Sequence, residues 1–300
     1  MAMELADCNE SGFSGVWQPD NVEEAWRLKR SFGERSSYTA GGTLLRRQRQ
    51  NGIRPEPKHL ISLLGIPELH GLRLSDGAVS IGAGTALNEC RQHPLLKQHG
   101  ELLVTAIGQF AAPSVRHLDT IGVNISGLGD AVPALVALNA QLVIFRGRGW
   151  GRCPILDWIQ GKGGAREPDD LLVRVEIPVD SEGDADRAQE ELFAFYEKSE
   201  LRAAFVPTLV TVAAQDKTAE DERIAEQRIP AEGASDSSDR LTSAERRTNG
   251  STLSDKMLGL IHEAIRGHYR AAEDLFADTN YRKETTRNLI SAQLWKLMKR

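Results

Sequence analysis

Ala40-Gly41-Gly42-Thr43 follows a predicted short strand, and Thr120-Ile121-Gly122-Val123-Asn124 precedes a predicted apolar helix that starts near Asp130. Glycine permits positive φ and lets a ligand approach backbone N–H groups closely, and a run of such groups forms a concave anion site. The threonine and asparagine side chains add hydrogen-bond donors beside these groups. Two such loops could hold both phosphates of a dinucleotide between them. Taken singly, each loop is more typical of a plain turn, because Gly-Gly is common in turns.

Composition and charge exclude several classes of protein. The chain has 300 residues and a formal net charge of -5, so nothing indicates nucleic acid as a partner. No apolar run approaches the length of a membrane span. Residues 1–8 carry acidic side chains and no apolar core, unlike a signal peptide, so a cytoplasmic protein is expected. Neither glycine loop matches the GxGxxG or Walker pattern, which leaves the usual nicotinamide and nucleoside triphosphate sites without support.

Metal binding by this chain is not expected from its cysteines and histidines. Cys8, Cys90 and Cys153 show no metal-ligand or redox spacing, and the seven histidines are scattered. An iron–sulfur cluster of the common type needs four thiolates. The three cysteines are therefore predicted to be ordinary thiols, and no metal site is assigned.

Short strands and short helices alternate without a regular βαβ period. This pattern predicts an α+β, or mixed α/β, fold rather than a doubly wound parallel sheet. The first helix is expected to begin with a capping box formed by Asp20 and Glu23. The predicted helices are 20–32, 101–110, 131–137, 253–269 and 281–298, and the predicted strands are 37–40, 60–63, 79–83, 141–146, 171–177, 193–196, 208–214 and, weakly, 224–229.

A break in composition predicts two domains. Residues 180–191 are polar and have no apolar face, so they are interpreted as a linker. The first domain would then be 1–179 and the second 192–300. Within the second, residues 217–249 are highly charged and rich in serine, before two amphipathic helices close the chain.

The order of motifs along nearly the whole chain resembles the FAD-binding subunit of molybdenum hydroxylases, the xanthine dehydrogenase and carbon monoxide dehydrogenase flavoprotein family. The two glycine loops resemble that family's two flavin loops. The further matching segments are Leu60-Ile61-Ser62-Leu63, Ile66-Pro67-Glu68-Leu69, Ile81-Gly82-Ala83-Gly84-Thr85, Pro113-Ser114-Val115-Arg116-His117, Asp170-Leu171-Leu172, Tyr196 with Lys198, Arg202-Ala203-Ala204 and Tyr281-Arg282-Lys283.

The resemblance implies a fold and a set of partners. The first domain would be the two-subdomain FAD-binding fold of the vanillyl-alcohol oxidase type, and the second a small α+β domain of the carbon monoxide dehydrogenase flavoprotein type. A large subunit would carry the molybdopterin cofactor and a small subunit the [2Fe-2S] clusters. This chain would carry FAD alone.

The resemblance also implies the residues around FAD. The pyrophosphate would lie on Ala40, Gly41, Gly42 and Thr43 and on Thr120, Ile121, Gly122 and Asn124. Asp130 matches an acidic residue that contacts FAD, and Phe110, Leu172 and Lys198 match flavin-contact positions. Plainer roles stay open: Phe110 and Leu172 as core residues, Lys198 as a surface lysine and Asp130 as a helix cap. No catalytic acid, base or nucleophile is assigned.

The expected function is electron transfer within a molybdopterin-dependent hydroxylase or dehydrogenase. Electrons would reach FAD from the [2Fe-2S] clusters and pass to NAD or another acceptor. The family usually has a second glycine where this chain has Val123, so a degenerate scaffold subunit without flavin is one alternative. A stand-alone flavin oxidase is another, although the short C-terminal part offers no obvious substrate pocket.

The predicted linker gives a test of the domain boundary. Limited proteolysis of the native protein should cut first between residues 179 and 191 or within 217–249, because backbone without packed apolar side chains opens most readily. Mass spectrometry of the first fragments locates the cut. A first cut inside 101–140 would contradict the two-domain layout.

Overall fold

A computed structural model describes residues 15–50, 52, 57–162, 166–179, 191–200, 208–218, 223–233, 239–274 and 276–299. It contains three sheets. Of the predicted linker, residues 180–190 lie outside the described residues. Its last residue, Glu191, is the first residue of a strand. The boundary between domains therefore stays a prediction, whereas the mixed α/β fold is confirmed.

The first sheet is small and parallel. Its strands are β1 (Gly15–Trp17), β2 (Ser36–Thr39) and β3 (His59–Ser62), in the order β1-β3-β2. Helix α1 (Val22–Phe32) packs against it through an apolar face, which is the usual way that an amphipathic helix covers a sheet. Helix α2 (Thr43–Gln50) starts directly after the first glycine loop.

The cap of α1 lies one residue later than predicted. The Asn21 side chain accepts a hydrogen bond from the Glu24 N–H at 2.9 Å, and the Glu24 carboxylate accepts from the Asp20 N–H at 3.0 Å. The expected pair of Asp20 and Glu23 was therefore wrong. Asparagine caps as well as aspartate does, so the local sequence offered two equivalent starting points.

The second sheet is antiparallel and carries the main core. Its strands are β4 (Leu72–Ser75), β5 (Ala78–Gly82), β6 (Gln141–Phe145), β7 (Trp150–Pro154) and β8 (Leu171–Pro178), in the order β4-β5-β8-β6-β7. One face is lined by alternate apolar side chains that pack on helices. The helices on this side of the sheet are α3 (Leu87–Gln92), α4 (Pro94–His99), α5 (Glu101–Gln109), α6 (Pro113–Leu118), α7 (Ile121–Ser126), α8 (Ala131–Ala137) and α9 (Ile155–Gln160). All except α6, which packs against α3, contribute side chains to this core.

The third sheet belongs to the C-terminal part of the chain. Its strands are β9 (Glu191–Glu200), β10 (Thr208–Thr218), β11 (Ile224–Arg228), β12 (Pro230–Glu232) and β13 (Asp239–Arg240), and β10 pairs with β9, β11 and β12. Helices α10 (Thr242–Thr248), α11 (Asp255–His268) and α12 (Thr279–Met298) supply the other helical elements of this part. They share a second core cluster with the strands.

The C-terminal part is tied to the rest by side chains that cross between them. Tyr196 and Ala213 of the third sheet belong to the main core cluster. The Tyr196 hydroxyl donates to the Asp130 carbonyl oxygen at 2.8 Å. Among the described residues, no helix is long and apolar enough to cross a membrane.

Two adjacent glycines in the first loop should respond differently to alanine. A Cβ on Gly41 would lie 1.7 Å from the Leu118 carbonyl oxygen, whereas a Cβ on Gly42, at φ +73°, would meet nothing within 4 Å. Gly41→Ala should lower the free energy of unfolding by about 3 kcal/mol or more, because two backbone segments must separate. Gly42→Ala should cost about 1 kcal/mol, the penalty of a left-handed backbone. Chemical denaturation measures both, and equal losses would contradict the close approach.

Candidate functional site

A cleft opens between the first and second sheets. Its volume is about 850 Å³, a size typical of cofactor sites. The end of β2, the start of α2, the turn after β5, helix α7, helix α9 and the start of β8 supply its walls. Of the predicted site residues, those that line it are Ala40, Gly42, Thr120, Gly122 and Leu172.

The two glycine loops meet behind this cleft. Gly41 lies against the Leu118 backbone, and the Thr43 hydroxyl donates to the Asp119 carboxylate at 2.7 Å. A Cβ on Gly122 would lie 2.7 Å from the Ala83 carbonyl oxygen. Gly41 and Gly122 are therefore required for packing of the backbone, a role that the sequence did not distinguish from ligand contact.

Gly42 and the first turn of α2 have the properties of an anion site. The first intrahelical bond runs from the Arg46 N–H to the Gly42 carbonyl oxygen at 3.0 Å. The N–H groups of Thr43, Leu44 and Leu45 thus have no acceptor within the helix, as at every helix start. Gly42, Leu44 and Leu45 line the cleft. N–H groups without an intrahelical acceptor and the positive end of the helix dipole favour an anion at this position.

The second loop requires a correction. Thr120 is the N-cap of α7, so residues 121–124 form the first turn of a helix rather than a loop. Its N–H groups already donate within the chain: Ile121 to the Thr85 carbonyl at 3.0 Å, Gly122 to the Ala83 carbonyl at 2.8 Å, Val123 to the Thr120 hydroxyl at 3.3 Å and Asn124 to the Thr120 carbonyl at 3.0 Å. This segment forms a wall of the cleft but offers no free backbone donors.

Asp119 is a buried acid at the junction of the loops. Burial raises the pKa of its carboxyl group, and the hydrogen bond from Thr43 and the charge of Arg47 act in the opposite direction. The Thr43 hydroxyl is committed to this carboxylate. The Asp119 carboxyl group lies beside the first turn of α2. When ionised, it opposes the binding of an anionic ligand there.

Asp130 and Lys198 form a separate cluster at the contact between α8 and the third sheet. The Lys198 ammonium lies 3.2 Å from the Asp130 carboxylate and also pairs with Glu200. The Thr208 hydroxyl donates to Asp130 at 3.2 Å. Neither Asp130 nor Lys198 lines the cleft, and Phe110 instead packs against the main core at the end of α5.

One wall of the cleft contains two residues that the sequence did not indicate. Trp158 of α9 and Arg166, which precedes β8, both line it. They are separated in sequence from both glycine loops, and the pairing of β8 between β5 and β6 in the second sheet brings these segments together. No local motif marks either residue.

Comparison with known proteins identifies the family. Residues 10–180 match the family model described as the FAD binding domain in molybdopterin dehydrogenase. The chain belongs to this family. The family's description names FAD as the cofactor. The open cleft and the α2 N–H groups that have no intrahelical acceptor are compatible with binding of FAD.

Two relatives of this FAD-binding family are similar over part of their length. The chain is 30% identical over 167 residues to the FAD-subunit of nicotinate dehydrogenase from Eubacterium barkeri, which covers 53% of this chain and 56% of that protein. It is 32% identical over 170 residues to the medium chain of carbon monoxide dehydrogenase from Hydrogenophaga pseudoflava, covering 55% of this chain and 58% of that one. The matches thus span little more than half of each relative.

The likeness of fold extends over most of the chain. Carbon monoxide dehydrogenase from Hydrogenophaga pseudoflava, solved in a form lacking the Mo-pyranopterin moiety, superposes with a TM-score of 0.82 at 23% identity, covering 94% of this chain and 96% of that chain. At this identity the likeness establishes the fold. It confirms that the C-terminal sheet and helices have the expected architecture.

The cluster around Asp130 predicts a pH dependence of stability. Burial, and then the Asp130 carboxylate, raises the pKa of Glu232 in β12 to about 8. In the unfolded chain a glutamate has a pKa of about 4.3, so between these values the folded state holds a proton that the unfolded state has lost. The contribution of Glu232 to the free energy of unfolding is therefore at its maximum below about pH 4. As the pH rises towards 8, this contribution falls by up to about 1.4 kcal/mol per pH unit.

Glu232→Gln removes the titrating group and keeps the shape. Its free energy of unfolding relative to the unaltered chain should increase steadily from pH 5 to pH 8. Urea denaturation at each pH measures this difference. A constant difference across the range would contradict a protonated Glu232.

Proposed function

We propose that the chain works in the cytoplasm as the FAD-carrying electron-transfer subunit of a molybdopterin-dependent hydroxylase or dehydrogenase. The observation that carries this proposal is the cleft at the start of α2, where Gly42 is open to the cavity and the first-turn N–H groups lack helical acceptors. A large molybdopterin-binding subunit, a small [2Fe-2S] subunit and an acceptor such as NAD complete the proposed assembly.

The residues of the cleft are suited to FAD. Gly42 and the N–H groups of Thr43, Leu44 and Leu45 would hold the pyrophosphate, since a side chain at residue 42 would fill the open space in front of them. Leu44, Val123 and Leu172 provide apolar walls for flat rings. Gly122 and Thr120 shape the opposite side, where the Gly122 N–H is already bonded to the Ala83 carbonyl oxygen.

The role of the protein is to bind and position the cofactor. FAD, when bound, would supply redox chemistry that takes up electrons singly and releases them in pairs. The chain's own residues fix the cofactor against the second sheet and exclude water from its apolar faces. No side chain is assigned a proton transfer, and choice of the substrate would belong to the molybdenum subunit.

Partner subunits are proposed from the relatives. One is named an FAD-subunit and the other a medium chain, and both terms describe parts of larger assemblies. The superposition on the solved carbon monoxide dehydrogenase, at 23% identity, supports the fold of the chain. The assembly with partner subunits is a separate proposal that needs its own test.

A scaffold subunit that binds no flavin is the second candidate. Three features favour it: Val123 projects bulk into the cleft, the α7 amides are occupied, and Asp119 places an acid beside the anion site. Each lowers the expected affinity for a pyrophosphate. Flavin binding separates the two candidates directly.

Titration with FAD, followed by flavin fluorescence, tests the proposed cofactor site. Gly42→Val should raise the Kd at least about tenfold, a loss of about 1.4 kcal/mol, because its side chain occupies the space in front of the α2 amides. Gly77→Val is the matched control: Gly77 has a similar φ of +70° and equally open surroundings, in the β4–β5 turn. Its Kd should be unchanged.

Two results would contradict the proposed site. Equal affinities of Gly42→Val and the unaltered chain would place the pyrophosphate elsewhere. Absence of FAD binding by the unaltered chain, both alone and within its native assembly, would favour the scaffold candidate.

Purification from the native source tests the partners. The chain should be recovered together with polypeptides that contain molybdenum and iron, detected by metal analysis and mass spectrometry of the purified complex. The chain with FAD alone should not oxidise a small substrate. Unaided turnover of such a substrate would instead indicate a stand-alone flavin oxidase.

A further inference from the structure

The cleft must supply donors for two phosphates if it holds a dinucleotide, and the first turn of α2 covers only one side of them. The N–H groups of residues 121–124 in the α7 wall are not available, because each already donates within the chain. Asp119 places a carboxyl group beside α2, bonded to the Thr43 hydroxyl. A pyrophosphate therefore needs a further donor from another part of the cleft.

The cleft contains few cations that could meet a phosphate. Among the described residues that line it, Lys29 and Arg166 are positively charged, against the acidic side chains of Glu34, Glu167 and Asp170. Lys29 is buried, and its ammonium donates to two backbone carbonyl oxygens between α1 and β2, at 2.9 and 3.0 Å. Arg166 is exposed. It is therefore the cation that a ligand in the cleft can reach.

The Arg166 guanidinium itself lies at the wall of the cleft. Its carbon atom is 5.5 Å from the centroid of the Trp158 ring, within the range of a cation–π contact. Its Nη2 atom donates to the Ser126 carbonyl oxygen at 3.3 Å, in a hydrogen bond that is exposed to solvent. Trp158 and Ser126 both line the cleft. The charged group, and not only the backbone of Arg166, thus borders the cavity.

A short series of contacts places this guanidinium near the start of α2. Gly127 follows Ser126, and a Cβ on Gly127 would lie 3.0 Å from the Cδ1 atom of Leu44. Leu44 belongs to the first turn of α2, where the N–H groups have no intrahelical acceptor. The cation on one wall and the N–H groups on the other therefore border the same part of the cleft.

We propose that the Arg166 guanidinium binds the pyrophosphate of FAD from the wall formed by α7, α9 and the segment before β8. The inference rests on the proposed function, which assigns FAD to the cleft. Arginine suits this position because its planar fork of donors can bind two phosphate oxygens at once. Its charge also offsets the acidic side chains of the cleft. Arg166 is a binding residue beyond those that the family resemblance implied.

Arg166→Gln tests this role in the full chain, because glutamine keeps a polar side chain and removes the charge. The variant should fold, since Arg166 is exposed. Titration with FAD at low salt should give a Kd at least about tenfold higher, the effect of losing a charge-assisted hydrogen bond. The difference should shrink as salt is added, because salt screens the attraction. Arg166→Lys keeps the charge and should bind FAD more tightly than Arg166→Gln.

Arg148→Gln is the matched control. Arg148 is an exposed arginine in the turn between β6 and β7, outside the residues that line the cleft. This variant loses the same charge as Arg166→Gln, so its Kd for FAD should be unchanged at every salt concentration. ADP carries the pyrophosphate without the flavin. Its affinity, measured by calorimetry, should fall in Arg166→Gln by the same factor as that of FAD.

Four outcomes would overturn the inference, and they differ in what else they affect. If Arg166→Gln binds FAD as tightly as the unaltered chain, the inference fails and the proposed function stands. A loss for FAD without a loss for ADP would place the arginine against the flavin half instead. Equal losses in Arg166→Gln and Arg166→Lys at every salt concentration would show that the residue only holds α7 and Trp158 in position. If the unaltered chain binds no FAD, alone or in its native assembly, the inference and the proposed cofactor site fail together.

Discussion

The Gly41 backbone lies so close to the Leu118 carbonyl oxygen that no side chain fits between them. This contact joins the segment between β2 and α2 to the end of helix α6. Gly122 against Ala83 repeats the arrangement on the opposite wall. Because backbone meets backbone at both points, the walls of the cleft are fixed by atoms that do not change rotamer, as expected of a preorganised binding site.

Electrostatics limit what the cleft can bind. The free amides of α2 attract an anion, whereas the buried Asp119 carboxylate beside them opposes one. Lys198 does not compensate, because it is already paired with Asp130 and Glu200 at a different contact. In the proposed site, affinity for a pyrophosphate would therefore depend on the helix start at Gly42, because Lys198 does not line the cleft.

Much of the fold was predictable from periodicity. The buried helix Ala131–Ala137 was predicted with its observed bounds. Strands β5, β6 and β8 of the second sheet were predicted to within a residue or two at their ends, whereas β4 and β7 were not predicted. The helical conformation of residues 120–124 was not predicted, because the sequence Thr-Ile-Gly-Val-Asn is compatible with both a loop and a capped helix. What decided it was the Thr120 cap together with tertiary acceptors on Ala83 and Thr85, which no local pattern contains. Trp158 and Arg166 escaped notice for a similar reason, since only the pairing order of the second sheet brings them to the cleft.

Hydrogen–deuterium exchange with and without FAD tests the central claim most directly. In the free chain the amides of Thr43, Leu44 and Leu45 have no helical acceptor, whereas those of residues 121–124 are already bonded. FAD should slow exchange at residues 43–45 and leave 121–124 nearly unchanged. Slower exchange at 121–124 with none at 43–45 would show that the pyrophosphate lies on α7 and would contradict the account.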